Sequence, residues 1–437
     1  MFSPTIQTIR LWIWAGIAGA LGAASTIGFR WLTQQVEWLA TGHTGGLVET
    51  AMSLPAWHRA LVCAVGGLLA GLVLRWGGRW AAKGPRGDRN LDYIEAARAG
   101  RVDLNDRTTF TRTLSALFSI GTGASIGREG PTVHVGAGLM VWVAQRFGFR
   151  DASTVSRFAL AGGAAGLAAA FNTPLAGVMF AIEELAGAFE HRFSGALLAA
   201  VMIAGIVSLG LIGDYAYFGK MSFTLPLGES WFAVLATGVV GGLVGGLFAR
   251  LLLAAAHGLP GRLGALQRRS PVALAAICGL VLAAIGVLDN GAVFGTGYAQ
   301  ARGIIAGEHV ATWFGVEKWL ANAVSYIAGI PGGIFSPALA VGAGLGSHLA
   351  PWLPHTDPTA VILLGMAAYL SGVTQVPLTS TIITMELTDN HDFVLPIMAT
   401  CLLSRAFSTL VCKTPIYRAL ALQLVRDREQ EASHSPS

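Results

Sequence analysis

Gly127-Arg128-Glu129-Gly130-Pro131-Thr132-Val133-His134-Val135-Gly136-Ala137-Gly138-Leu139 sets a base and an acid between glycines inside a strongly apolar chain. Proline is tolerated in the first turn of a helix, where its missing N–H would have been unpaired anyway. The stretch predicts a glycine loop that hands over to a helix near Pro131. The free N–H groups of that helix would point back at the loop. Such an end carries partial positive charge and suits an anion.

The surrounding chain holds this loop at membrane depth. Of 437 residues 53% are hydrophobic and only 12% charged, against about 25% charged in soluble domains. Mean hydropathy is +0.59. A soluble globular protein is excluded, and a polytopic membrane protein takes its place. Transmembrane β-barrels alternate apolar and polar residues over short segments; the long unbroken apolar runs here point to an all-α chain. The 57 glycines suit closely packed transmembrane helices. The net charge of +5 reads as positive-inside bias, with no nucleic-acid partner. Cys63, Cys278, Cys401 and Cys412 stand in apolar segments without metal-ligand spacing and read as core residues. No metal site, cofactor, Walker-type loop or nucleophile elbow is expected, and an enzyme is not.

In chain order, the apolar run Leu11 to Phe29 has almost the length of a full span and reads as retained, with no cleavable signal peptide. A polar loop is expected around Glu37 to Ser53, then a second span near Leu61 to Leu74. From Arg75 to Arg112 the chain is rich in arginine and is placed in the cytoplasm. Inside it, Asp88 to Ala97 has the capping residues for a short helix. Later apolar segments include Thr132 to Val143, Phe158 to Ala170, Leu175 to Leu185, Trp319 to Ile330, Ala338 to Leu349 and Leu378 to Met385. Several fall short of the ~20 residues of a full span, as discontinuous membrane helices do. The tail from 418 to 437 is polar and too short for a regulatory domain.

The loop has a counterpart. Gly333-Ile334-Phe335-Ser336-Pro337-Ala338-Leu339-Ala340-Val341-Gly342-Ala343-Gly344-Leu345 repeats its first Gly, its Pro and its Val-Gly-Ala-Gly-Leu run. Downstream, Gly162, Ala164, Ala165, Leu167, Pro174, Leu175 and Glu183 pair with Gly365, Ala367, Ala368, Leu370, Pro377, Leu378 and Glu386 at nearly the same offset. We read two homologous halves, residues 1–212 and 229–417, joined by 213–228. In transporters the broken helices of such halves meet near the midplane and form the site there.

Glu129 is the most informative single residue. It is either a structural acid paired with Arg128 or a carboxylate standing where an anion would stand, competing when ionised and leaving when protonated. Membrane-depth acids mark ion or proton paths. Glu183 and Glu184 lie about 100° apart on a helix; one suits a structural pairing while the other meets water, or both merely end a helix at the surface. The uncharged loop 333–337 offers backbone amides that would hold an anion without trapping it. Tyr417 is a phenol donor or an interfacial belt tyrosine. His134 and His348 line helix faces.

These motifs, in order and spacing, resemble the CLC family of chloride channels and chloride/proton antiporters along nearly the whole chain. Gly127-Arg128-Glu129-Gly130-Pro131 looks like that family's GREGP segment and Gly333-Ile334-Phe335-Ser336-Pro337 like its GxFxP segment. Phe171-Asn172 through Glu183-Glu184, Met385 through Asn390, and Pro415-Ile416-Tyr417 also match. The resemblance implies two inverted-topology repeats and a homodimer in the bacterial plasma membrane, with a separate anion path in each subunit and no C-terminal regulatory domains. It makes Glu129 the outer gating and proton glutamate and Glu184 the inner proton-transfer glutamate. Backbone amides at Ile334 and Phe335, with the Tyr417 hydroxyl, would hold chloride. Since family channels commonly lack an acid at the inner position, Glu184 favours antiport over a passive voltage- or pH-gated channel. One departure stands out. The family's Gly-Ser-Gly-Ile-Pro segment is missing, and its place falls on Gly87-Asp88-Arg89-Asn90-Leu91, with Asp88 at the serine; Asn90 or nearby backbone amides would substitute.

Overall fold

The computed structural model describes residues 4–43, 47–82, 93–94, 106–149, 151–185, 195–213, 217–221, 224–225, 228–308, 310–353 and 355–423. Among them are seventeen α-helices and no β-strand. The first half contains α1 (Pro4–Thr41), α2 (Leu47–Ser53), α3 (Ala56–Ala82), α4 (Asp106–Gly121), α5 (Glu129–Arg146), α6 (Ala152–Phe171), α7 (Pro174–Phe180) and α8 (Gly195–Ile212). The second contains α9 (Phe232–His257), α10 (Gly261–Arg269), α11 (Pro271–Leu288), α12 (Tyr298–Ile305), α13 (Phe314–Ile327), α14 (Phe335–Leu349), α15 (Pro358–Thr374), α16 (Pro377–Thr388) and α17 (Val394–Val411).

The boundaries correct the sequence reading in three places. Glu37 to Thr41 continue α1, and 47–53 form α2, so the polar loop shrinks to a few residues. Arg75 and Arg79 belong to the last turns of α3 rather than to the basic loop. Arg418 lies in a helical stretch from 416 to 423, not in a loose tail. The proposed short helix at Asp88 to Ala97 falls outside the described residues except at Tyr93 and Ile94, which are helical and buried.

Packing repeats between the halves. In the first, α5 lies on α6, and α1 on α6 and α8; in the second, α14 lies on α15, and α9 on α15 and α17. Local signals repeat with it. Asp151 and Asp357 cap α6 and α15 through Thr154 N (2.8 Å) and Thr359 N (2.7 Å). Both helices end on a left-handed non-glycine residue, Asn172 and Gln375, each at φ 59°. A proline two residues on opens α7 and α16. Gln375 offsets its backbone cost by donating to Ser408 Oγ (3.0 Å) and Cys412 O (2.6 Å).

The matched glycines are where these helices touch. A Cβ on Gly136 would fall 2.4 Å from the Gly162 carbonyl, and one on Gly342 would fall 2.6 Å from that of Gly365. Small residues at such crossings let helix backbones approach in a membrane, where lipid is as apolar as the side chains. Gly136→Val is expected to cost at least the ~1–3 kcal/mol of an overpacked core. Its unfolding midpoint in detergent should fall clearly below that of Gly210→Ala, whose new methyl meets open space; equal midpoints would contradict this close approach.

Among the described residues, five helices are long and apolar enough to cross a membrane: Ala56–Ala81, Ser153–Phe171, Phe232–His257, Pro271–Leu288 and Val394–Val411. They divide by burial. The 153–171 window is 89% buried within the protein, while that of 56–81 is 22% buried and faces outward. By contrast α7 has 7 residues, about 10 Å of helix at 1.5 Å per residue against a hydrocarbon core of about 30 Å. Even with the π-helical turn Ala181–Leu185 that continues it, the described stretch is too short to span. The four cysteines are buried and free, as the apolar surroundings implied.

Candidate functional site

The two glycine loops meet. Gly127 and Gly333 form an isolated antiparallel bridge, each N–H donating to the other's carbonyl at 2.7 Å. Two equivalent residues that exchange both hydrogen bonds antiparallel are related by a local two-fold axis, so the half-chains run in opposite senses where they touch. Glycine is required at 333, where a Cβ would lie 2.7 Å from the backbone N of Gly130. The bridge occupies the N–H groups of Gly127 and Gly333.

From this bridge α5 leaves at Glu129 and α14 at Phe335. Neither N-cap residue, Arg128 or Ile334, places a side chain on its helix's first N–H groups. Those groups need an acceptor. The Glu129 carboxylate supplies one. It is 1% exposed, accepts from the Ser336 hydroxyl of α14, and faces the N–H groups of Glu129 and Ser336. Its Oε2 makes no hydrogen bond among the described residues. No hydrogen bond from the N–H of Ile334 or Phe335 is formed among them either. Pro131 and Pro337 are buried in the first turns, where no N–H is missed.

Beside the bridge is a cavity of about 310 Å³, whose wall includes Arg112, Gly130, Tyr326, Gly332, Ile334 and Tyr417. Three of the expected anion ligands, Gly130, Ile334 and Tyr417, thus share one space. Arg128 is turned elsewhere. Its Nη2 donates to the Tyr217 hydroxyl at 3.3 Å, and its guanidinium lies 6.0 Å from that ring's centroid. The segment joining the halves is held there too, with Phe218 N on Leu387 O (2.9 Å) and Tyr298 Oη on Tyr217 O (2.6 Å).

Glu183 and Glu184 part company. Glu183 accepts from Leu378 N (3.3 Å) and Thr379 N (2.7 Å) at the start of α16. Its repeat partner Glu386 accepts from Leu175 N (3.1 Å) and Ala176 N (2.7 Å) at the start of α7. Each half caps the broken helix of the other. Glu184 is wholly buried in the π-helical turn Ala181–Leu185. Just before it, Phe180 stands edge-on to Phe335 of the glycine loop, centroids 5.7 Å apart.

Other residues at the site carried no sequence signal. Ser125 N donates to Ser325 Oγ (3.0 Å) and Ser125 Oγ to Val293 O (2.9 Å). The fully buried Lys318 donates to Val293 O (2.8 Å) and Gly295 O (2.7 Å). Together they buttress the approach to Gly127 with α13. The Tyr326 hydroxyl donates to Gly333 O. His134 is buried with Nδ1 accepting from Tyr93 N (3.1 Å), and His348 Nδ1 is bonded to Gly344 O (2.8 Å). Gly87, Asp88 and Asn90 lie outside the described residues.

The sequence matches the family model for the voltage gated chloride channel over residues 66–409. It is 35% identical to a ClcB-like protein of Ralstonia nicotianae over 89% of this chain and 91% of that one. To a voltage-gated ClC-type chloride channel, ClcB, of Salmonella typhimurium it is 31% identical over 94% of this chain and 98% of that one. Its fold is similar to that of a slow cyanobacterial Cl−/H+ antiporter, with TM-score 0.78 and 22% identity over 98% of this chain and 100% of that one. A CLC-type fluoride/proton antiporter gives TM-score 0.76 and 21% identity, with 96% and 99% of the two chains covered.

Proposed function

The chain belongs to the voltage-gated chloride channel (CLC) family and is a multi-pass membrane protein, and from that premise we propose that it exchanges chloride, or a similar small anion, for protons. One observation carries the reading: the Glu129 carboxylate sits where two helix N-termini converge, hydrogen-bonded by Ser336, in the place a permeating anion would take. Each helix end offers roughly half a positive charge. An ionised Glu129 is held there; a protonated one loses that attraction and swings out, and an anion enters. The proton then leaves with the carboxyl group's next ionisation, so one group blocks the anion and carries the proton.

Inward from Glu129 the two cargoes separate. The anion continues to the cavity bounded by Ile334 and Tyr417. The proton passes by way of Glu184, whose turn reaches the glycine loop through Phe180 and Phe335. A buried acid costs free energy in a membrane and is kept where ions or protons move. Glu184→Gln is expected to cut proton movement to the level of empty liposomes while chloride still flows. Undiminished proton flux in that variant would remove Glu184 from the path.

A passive channel is the second reading, favoured by the name of the Salmonella relative. The two part in one recording: an exchanger's reversal potential shifts with the pH gradient, a channel's ignores it. The reading includes the division into halves 1–212 and 229–417, assembly as a homodimer, and residence in the bacterial plasma membrane. Purified protein in liposomes, given a chloride gradient with pH recorded, tests the proposal. Opposed chloride and proton fluxes support it, and the absence of any anion flux ends it.

A further inference from the structure

We propose that the Tyr326 hydroxyl is a direct, specificity-determining ligand of the permeating anion in the inner cavity; this rests on the exchanger reading above. Tyr326 lies near the end of α13 and lines the same cavity as Tyr417, Ile334 and Gly130. Its hydroxyl donates to Gly333 O. That carbonyl already accepts the Gly127 N–H at 2.7 Å, so it keeps a strong partner if the phenol turns away. Turning takes rotation about the C–O bond, which moves the hydroxyl hydrogen without its ring, and a small withdrawal of the phenol oxygen from the Gly333 carbonyl.

The ring itself is fixed. Phe248 stands edge-on to it with centroids 5.9 Å apart, and the same Phe248 contacts Trp319 and Tyr369. The donor is therefore held at the cavity wall, 7 residues before the bridge glycine it serves. Tyr369 completes the argument. Its side chain is wholly buried in this aromatic box, yet its hydroxyl has no hydrogen-bond partner among the described residues. Buried polar groups left unpaired are costly and unusual. The Tyr369 hydroxyl is thus an idle donor in the same aromatic box that holds the Tyr326 ring.

Chemically, a phenol favours a small anion of high charge density over a diffuse one. Tyr326 would thus favour chloride over thiocyanate, whereas a merely structural tie to Gly333 would affect both equally.

The test is calorimetric titration of the purified full-length protein with chloride and with thiocyanate, alongside Tyr326→Phe and a protein carrying 3,5-difluorotyrosine at 326. A hydrogen bond to a charged group is worth about 10-fold or more in affinity. Tyr326→Phe should bind chloride about that much more weakly, with a smaller loss for thiocyanate. The difluorinated ring, a stronger donor of nearly the same shape, should bind chloride more tightly than the native protein. If Tyr326→Phe loses both anions equally, or neither, the hydroxyl is a structural tie and the proposal fails. If Tyr326→Phe does not fold, the difluorinated protein decides alone, and unchanged chloride affinity there overturns the proposal. Native protein that binds no chloride would overturn the exchanger reading as well, which separates the two failures.

Discussion

Glu129→Gln protein in liposomes is expected to carry chloride at or above the native rate while its proton flux falls to that of protein-free liposomes. Glutamine keeps the shape of the side chain and an oxygen that accepts from Ser336. It keeps neither the charge that holds the group at the two helix ends nor the site that takes up a proton. It therefore mimics the protonated acid permanently. The chloride flux should also lose its pH dependence: in the native protein, acid favours the neutral, swung-out form and speeds the anion, and in the variant the form never changes. Proton pumping that persists in Glu129→Gln would remove this carboxylate from the mechanism whatever else it touches.

The second large effect is on stability, one residue away from a functional acid. Glu183→Ala strips both hydrogen bonds from the start of α16 and leaves the Leu378 and Thr379 N–H groups without their acceptor. Hydrogen bonds to a charged group contribute about 1.5–3 kcal/mol each, and an N-cap change costs about 0.5–2 kcal/mol. A loss of about 2–3 kcal/mol follows, read as a lower unfolding midpoint in detergent. Glu386→Ala should do the same at α7, because the two caps are exchanged between the halves. Since both brace the contact of α7 with α16, the double variant should depart from the sum of the singles. Glu184→Gln, by contrast, should keep the native midpoint and lose proton movement. Equal midpoints for Glu183→Ala and the native protein would mean that the exchanged caps do not hold the halves together.

Much of this was legible in the residues. The Gly-Pro pattern and the offset between 127 and 333 foretold two loops at two helix starts, and the loops meet at those very glycines. The match of Glu183 with Glu386 foretold equivalence but not the exchange of caps, because a repeat in sequence does not say which half each acid reaches. Spacing put Glu183 and Glu184 on different sides of a helix. It could not say which side was dry, and the π-helical turn buries Glu184. Tyr326 and Lys318 left no mark, since a lone tyrosine or lysine on an amphipathic helix reads as belt or surface until tertiary packing places it. The short helices α2, α10 and α12 leave no such mark for a related reason: their apolar runs are too brief to register as spans. The Asp88 segment, where the sequence departs most from its family's pattern, lies outside the described residues.

The central claim is that Glu129 occupies an anion's place between two helix ends supplied by opposite halves of the chain. Anomalous diffraction from crystals of Glu129→Gln grown in bromide tests it most directly. The account predicts a bromide between the first turns at 129–131 and 334–336, within hydrogen-bonding reach of Ser336. Density with no ion there, or bromide bound only far from both turns, would contradict it.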